Sequence, residues 1–128
     1  MKIKHVLLIT AVLGLLFGLG FVLIPAQLVA MFGTTADKAM QHMARNFGSA
    51  MLAMAAMSWA ARNTADSVAR RAIILALFVF FTLCSISIIL FQLTGIPNNN
   101  GWFALVLVVP LGAACGYFLF AVRGPVEN

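Results

Sequence analysis

The stretch "MQHMARNFGSAMLAM", residues 40–54, interrupts an otherwise plain apolar pattern. It leads into a long apolar run, yet it carries His42, Arg45 and Asn46, and it holds four of the chain's seven methionines. Three readings compete for it: a metal site, a ligand site, or the opening of a membrane helix. Read as a membrane helix, it completes a set of four spans.

The other runs support that reading. Residues 5–24, "HVLLITAVLGLLFGLGFVLI", give about 20 apolar positions, the length of one helical crossing. Further runs cover 43–61, 72–94 and 102–122, the last with Pro110 as an expected kink. Short connections predict antiparallel neighbours. The expected fold is all-α: one integral-membrane domain over 1–128, an antiparallel bundle of four transmembrane helices. A short outer interfacial helix, "AQLVAMF", follows Pro25 and closes at Gly33. The second long helix is expected to start near Ala36, capped by Thr34 or Thr35, with Asp37 in its first turn. The first run is too long for a signal-peptide core and lacks a small-x-small cleavage site, so it is read as a retained span.

Composition agrees. Hydrophobic residues are 63% of the 128 and charged residues 9%, far from the balance of a soluble domain. The formal charge is +5. No basic-aromatic patch accompanies it, so nucleic acid is not an expected partner. The charges fall between apolar runs and read as topology signals and attraction for anionic headgroups. Lys2, Lys4, Arg62, Arg70, Arg71 and Arg123 lie on one side of the expected bilayer, and only Lys38 and Arg45 on the other. Both termini are therefore expected in the cytoplasm, with Trp59 and Trp102 at opposite interfaces.

Lipid tails do not drive apolar helices together, so packing depends on small residues and polar contacts. Gly14 and Gly18, Ala44 and Gly48, and Gly112 and Gly116 are the small pairs expected to bring helices close. Thr82, Ser85 and Gln92 share one face of the third span, as backbone-bonding groups or as the wall of a polar cavity. Cys84 and Cys115 lack a CxxC spacing or a neighbouring His and read as small buried residues.

On a helical wheel, Arg45, Ser49, Ala56 and Ala60 share one side of the second span, with His42 at its edge. Met40, Met43, Phe47, Met51 and Met54 lie opposite, with Met57 at their margin. Met40 and His42 diverge, so copper through soft Met and His ligands is only a remote alternative, and no metal or cofactor is expected. The polar side is expected to face the bundle, with Arg45 near Gln92, Asp37 or a loop carbonyl. The methionine side is expected to face lipid or a partner. The polar cluster Arg45, Gln92, Ser49, His42 and Asp37 is a ligand site or a structural one.

No carboxylate lies inside a span, and no P-loop, HExxH, GxSxG or CxxCH motif is present, so no enzyme is expected. The leading expectation is a non-enzymatic accessory or assembly subunit, with lipids, other membrane subunits or further copies of itself as partners. The alternative is a binder or carrier of a lipid or quinone, its head near Arg45 and Gln92.

The segments "IPAQLVAMFG", "ARNFGSAMLAMAAMSWAAR", "DSVARRAI" and the "GW" opening the last span resemble a group of small bacterial four-helix membrane proteins of unknown function, the DUF4345-like type. The resemblance implies a bacterial inner membrane and makes Arg45, Gly48 and Trp102 signature positions. It implies no activity.

Overall fold

The computed structural model describes residues 2–95 and 97–121. Val122, the expected end of the last span, and Arg123, one of the inner-side charges, lie outside the described residues, as do Met1 and Ile96. The described chain is all-α, in the order α1 (Ile3–Leu23), α2 (Pro25–Met31), α3 (Lys38–Ala61), α4 (Val68–Thr94) and α5 (Asn99–Phe120). Three of these, α1, α4 and α5, are long and apolar enough to cross a membrane, which marks a membrane protein. At 24 residues α3 extends about 36 Å, also enough for a crossing, but its first half is too polar to join that set.

Local chemistry sets the boundaries. Ile24 leaves helical geometry, and Pro25 opens α2, where its missing N–H is no loss. Gly33 turns the chain at φ 81°, a conformation open to glycine. The expected start of the next helix moves: α3 begins at Lys38, and its cap is Asp37, not Thr34 or Thr35. The Met40 N–H donates to Asp37 Oδ1 at 2.7 Å, and a carboxylate at the positive helix end outcompetes a hydroxyl there. Ser67 caps α4, and Asn98 caps α5 by accepting the Gly101 N–H at 2.7 Å.

The long helices form two antiparallel pairs, α1 with α3 and α4 with α5, joined by lighter contacts. Glycines decide both pairings. A Cβ built on Gly48 would lie 2.8 Å from the Gly18 carbonyl oxygen, 2.8 Å from Phe21 Cβ and 3.0 Å from the Val22 nitrogen. One on Gly14 would meet the Met51 carbonyl and Ala55 at 3.1 Å. In the other pair, Gly112 faces Phe81 and Gly116 faces the Phe78 ring. All five glycines thus mediate contacts within the chain. The two pairs pack densely at one end, where Val6, Leu7, Ala61, Leu77 and Cys115 are buried. Cys84 is half-buried, and both cysteines are free.

Antiparallel order brings Lys2, Lys4, Arg62, Arg70 and Arg71 to that same end. The Arg62 guanidinium stacks over Trp59 at 3.4 Å from the ring centroid. The Arg71 side chain donates two hydrogen bonds to the Asp66 carboxylate, and these hold its carboxyl below the usual range. Whatever this exposed pair adds to stability is present at neutral pH and is lost as the pH falls through the lowered folded value.

Gly48 meets backbone on its partner helix, whereas Gly116 meets the end of a side chain that can move. Gly48→Ala is therefore expected to destabilise by about 1–3 kcal/mol and by more than Gly116→Ala. Thermal melts of the two variants in the same detergent check the order.

Candidate functional site

Away from the dense end, the two helix pairs do not close. A cavity of about 360 Å³ lies between them, in the half of the bundle that carries α2. Its walls are aromatic and sulfur-bearing: Phe17, Phe21, Met51, Met54, Phe80 and Phe103 are among them. Four rings form a chain across three helices. Phe21 meets Phe47 edge-on at 5.4 Å, Phe47 stacks on Phe80 at 6.3 Å, and Phe80 meets Phe81 at 5.6 Å. Such rings fix each other's tilt, which keeps the wall in place. Among the described residues no charged one lines the cavity; Thr10 and Asn100 border it, with the Thr10 hydroxyl oxygen itself enclosed.

A polar clasp holds the α2 end. The Gln92 amide donates to the Asn98 carbonyl at 2.7 Å, and its Oε1 accepts the Asn98 N–H at 3.2 Å. Asn98 Nδ2 donates to the Phe32 carbonyl at 2.9 Å, and Asn100 Nδ2 to the Met31 carbonyl. The carbonyls at the end of α2 lack helical partners, and these two asparagines satisfy them. A short helix is thereby fastened to the α4–α5 turn, with Leu28, Met31 and Phe32 against the cavity.

The expected polar cluster is dispersed. Gln92 is 4% exposed and engaged with Asn98, so it is not beside Arg45. Asp37 caps α3. His42 Nε2 lies 3.3 Å from Asn46 Nδ2 on an exposed face. The Ser49 hydroxyl donates to the Arg45 carbonyl at 3.0 Å, and Arg45 itself is exposed. Thr82 and Ser85 border a shallow groove beside Gly112, separate from Gln92.

The polar face of α3 expected to look into the bundle points outward, and the methionine face is divided between the cavity and the surface. Arg45, Ser49, Ala56 and Ala60 point outward, while Met51 and Met54 line the cavity. Met40, Met43 and Met57 stay exposed. The reason is steric: Ala44, Gly48 and Ala55 mark the face where α3 can approach α1, and Met51 falls on that face. Thr10, Asn98 and Asn100 were not singled out from sequence. A lone hydroxyl in an apolar run and an Asn-rich turn before a helix were their available signals. Among the described residues, no three His, Cys, Asp or Glu converge as metal ligands.

The family model for a domain of unknown function, DUF8292, matches residues 1–119, so the chain belongs to that family. The family shown is DUF8292; the match does not show the DUF4345-like relation. No curated protein and no solved structure matches the chain.

Asn98 serves as helix cap, as the partner of Gln92 and as a tether for α2. Asn98→Ala removes the cap and leaves the buried Gln92 amide with only backbone partners. It is expected to cost about 1–3 kcal/mol and to loosen α2. A lowered melt together with faster amide exchange over 26–31 is the check; unchanged exchange there would mean that α2 is held without the Asn98 tether.

Proposed function

We infer that this DUF8292 member is a four-span membrane domain that holds a hydrophobic small molecule between its two helix pairs. The observation that carries the reading is the aromatic- and methionine-lined cavity of about 360 Å³. Its size is ordinary for a small-ligand pocket and large for a packing defect. An empty space of that size forfeits dispersion contacts that an apolar occupant restores. Among the described residues no carboxylate, imidazole or ammonium lines it, which favours a binder or carrier. The polar head proposed for Arg45 and Gln92 moves to the Asn100 end of the cavity.

An accessory or assembly role is the second reading, and it now rests on a different surface. The glycine pairs are occupied within the chain, and Met51 and Met54 face inward. What favours a partner is the exposed row His42, Arg45, Asn46 and Ser49 on α3. If α3 crosses the bilayer, Arg45 needs a snorkelling path or a partner that offers oxygen ligands.

The rest of the reading follows from charge. Five Lys/Arg sit at one end of the bundle (Lys2, Lys4, Arg62, Arg70, Arg71), and Lys38 lies near the other. The positive-inside bias favours a bacterial inner membrane with both termini cytoplasmic and lipid as the surrounding partner. The DUF4345-like resemblance supports the same location.

Two experiments test this. Single cysteines at Thr35 and Ala65, in a chain with Cys84 and Cys115 replaced by alanine, flank α3. An impermeant thiol reagent is expected to label Thr35→Cys from outside and Ala65→Cys only after permeabilisation; equal labelling would remove α3 as a span. Extraction of small molecules from the purified protein is expected to give an apolar compound enriched over bulk lipid. Ala104→Trp, which fills the cavity, is expected to lose that compound at an unchanged melt. Equal yields from both proteins would exclude the cavity as its site.

A further inference from the structure

A cationic stripe on α3 lies apart from the cavity and from the clasp. Lys38, His42 and Arg45 are exposed, and Ser49, Ala53, Ala56 and Ala60 continue the same exposed face. On a helical wheel the whole set falls within an arc of about 80°. The helix pairing sets the depth of Arg45. Gly48 meets Gly18, Phe21 and Val22 near the end of α1, and α1 is one of the helices long and apolar enough to cross a membrane. Arg45 is one turn before Gly48 on an antiparallel helix, so it is level with Leu23, where α1 ends. That is the edge of the hydrocarbon. Side chains on a helix lean toward its N-terminus, so the Arg45 stem leads outward, toward His42 and Lys38. Lys38 stands about 10 Å farther out along the axis. No described acid neutralises Arg45: Asp37 caps α3 through the Met40 N–H, and Asp66 pairs with Arg71 at the opposite end. Glu127 lies outside the described residues. Among the described residues the Arg45 guanidinium has neither ion pair nor hydrogen bond. Unlike the enclosed, unpartnered hydroxyls of Thr10 and Ser58, it is open to a ligand.

We propose that this stripe binds one anionic phospholipid, with the phosphate on Lys38, His42 and Arg45 and an acyl chain along the alanines below. The inference goes beyond the cavity reading and shares with it only the premise that α3 crosses the bilayer. Charge complementarity carries it. A guanidinium at the hydrocarbon edge without a counter-charge is costly, and a phosphodiester at the same level supplies oxygens that match its planar fork of donors. His42 adds a donor. With its Nε2 accepting from the Asn46 amide at 3.3 Å, the Nδ1 carries the ring proton and is left to donate. The headgroup is anionic and not zwitterionic because the nearby Asp37 carboxylate is turned to the Met40 N–H, so a headgroup ammonium gains no partner beside the cations. The apolar part fits in length. Ser49 to Ala60 covers about 16 Å, and the hydrocarbon of one leaflet is about 15 Å deep. Small side chains leave a shallow bed there, flanked by the exposed Trp59 and Met57.

The test compares two lipids with the same acyl chains. Full-length protein, delipidated in a neutral detergent, is titrated with dioleoyl phosphatidylglycerol and with dioleoyl phosphatidylcholine, and native mass spectrometry counts the lipids bound. The wild type is expected to favour the first phosphatidylglycerol by about ten-fold or more, as two cations at a membrane surface imply. Arg45→Gln is expected to lower that preference about five-fold, the worth of one such cation, and Arg45→Lys to keep part of it. Lys4→Gln, at the opposite end, is expected to leave it unchanged. Equal affinity of the wild type for the two lipids, a preference that Arg45→Gln retains, or one that Lys4→Gln lowers as much, would overturn the assignment. A dimer in the same spectra that Arg45→Gln dissolves would give the stripe to a second copy of the chain and overturn it too. If Arg45→Gln fails to fold, Lys38→Gln carries the same expectation at the exposed outer end of the stripe. None of Lys38, His42, Arg45 and Ser49 lines the cavity, so a failed preference leaves the cavity reading standing. The Thr35 and Ala65 labelling reports separately on whether α3 crosses.

Discussion

The contact between Gly18 and Gly48 is the constraint from which the rest of the structure follows. There the backbones of α1 and α3 come so close that a single methyl on Gly48 would lie 2.8 Å from a carbonyl oxygen. Between apolar helices in lipid, close packing of this kind takes the place of a hydrophobic driving force. It joins α3, the least apolar of the long helices, to α1, one of the three with clear membrane character. It also sets the rotation of α3. With Gly48 against α1, Met51 and Met54 turn inward, and Arg45, Ser49 and His42 turn outward.

The same pairing explains the space in the middle. Two tight pairs, each knit by its own glycines, meet each other through larger side chains. At the charged end those side chains interlock around Leu7, Leu77 and Cys115. Toward α2 they are phenylalanines and methionines, which line a volume and leave it open. The Asn98–Gln92 clasp then fastens α2 beside that volume, because the Gln92 amide and the Asn98 backbone satisfy one another while the Asn98 and Asn100 side chains satisfy the last carbonyls of α2. Cavity, wall and cover are thus separate consequences of sequence: glycine spacing, aromatic positions and an asparagine-rich turn.

Much of the fold was legible in the chain. The helical runs, the short helix after Pro25, the Gly33 turn and the small-residue pairs are local patterns, and local patterns survive without knowledge of tertiary contacts. The rotation of α3 was not legible. Ser49, Ala56 and Ala60 on one side and Ala44, Gly48 and Ala55 on another both look like close-approach faces, about a third of a turn apart. Only the position of α1 chooses between them. Gln92 was recognised as an unusual polar group, but its partners come from a turn six residues on, and a helical wheel does not represent them. Thr10 stayed hidden because a threonine in an apolar helix normally satisfies itself, and its failure to do so appears only in three dimensions.

The central claim is that the space between the helix pairs is a binding site and not a gap that collapses in the bilayer. A density map of the protein purified from its own membrane into nanodiscs tests that most directly. The account predicts compact non-protein density against Phe21, Phe47 and Phe80, with Met51 and Met54 in contact with it. A map in which Met51, Met54 and Phe103 swing together and fill the space, with no density between them, would contradict it.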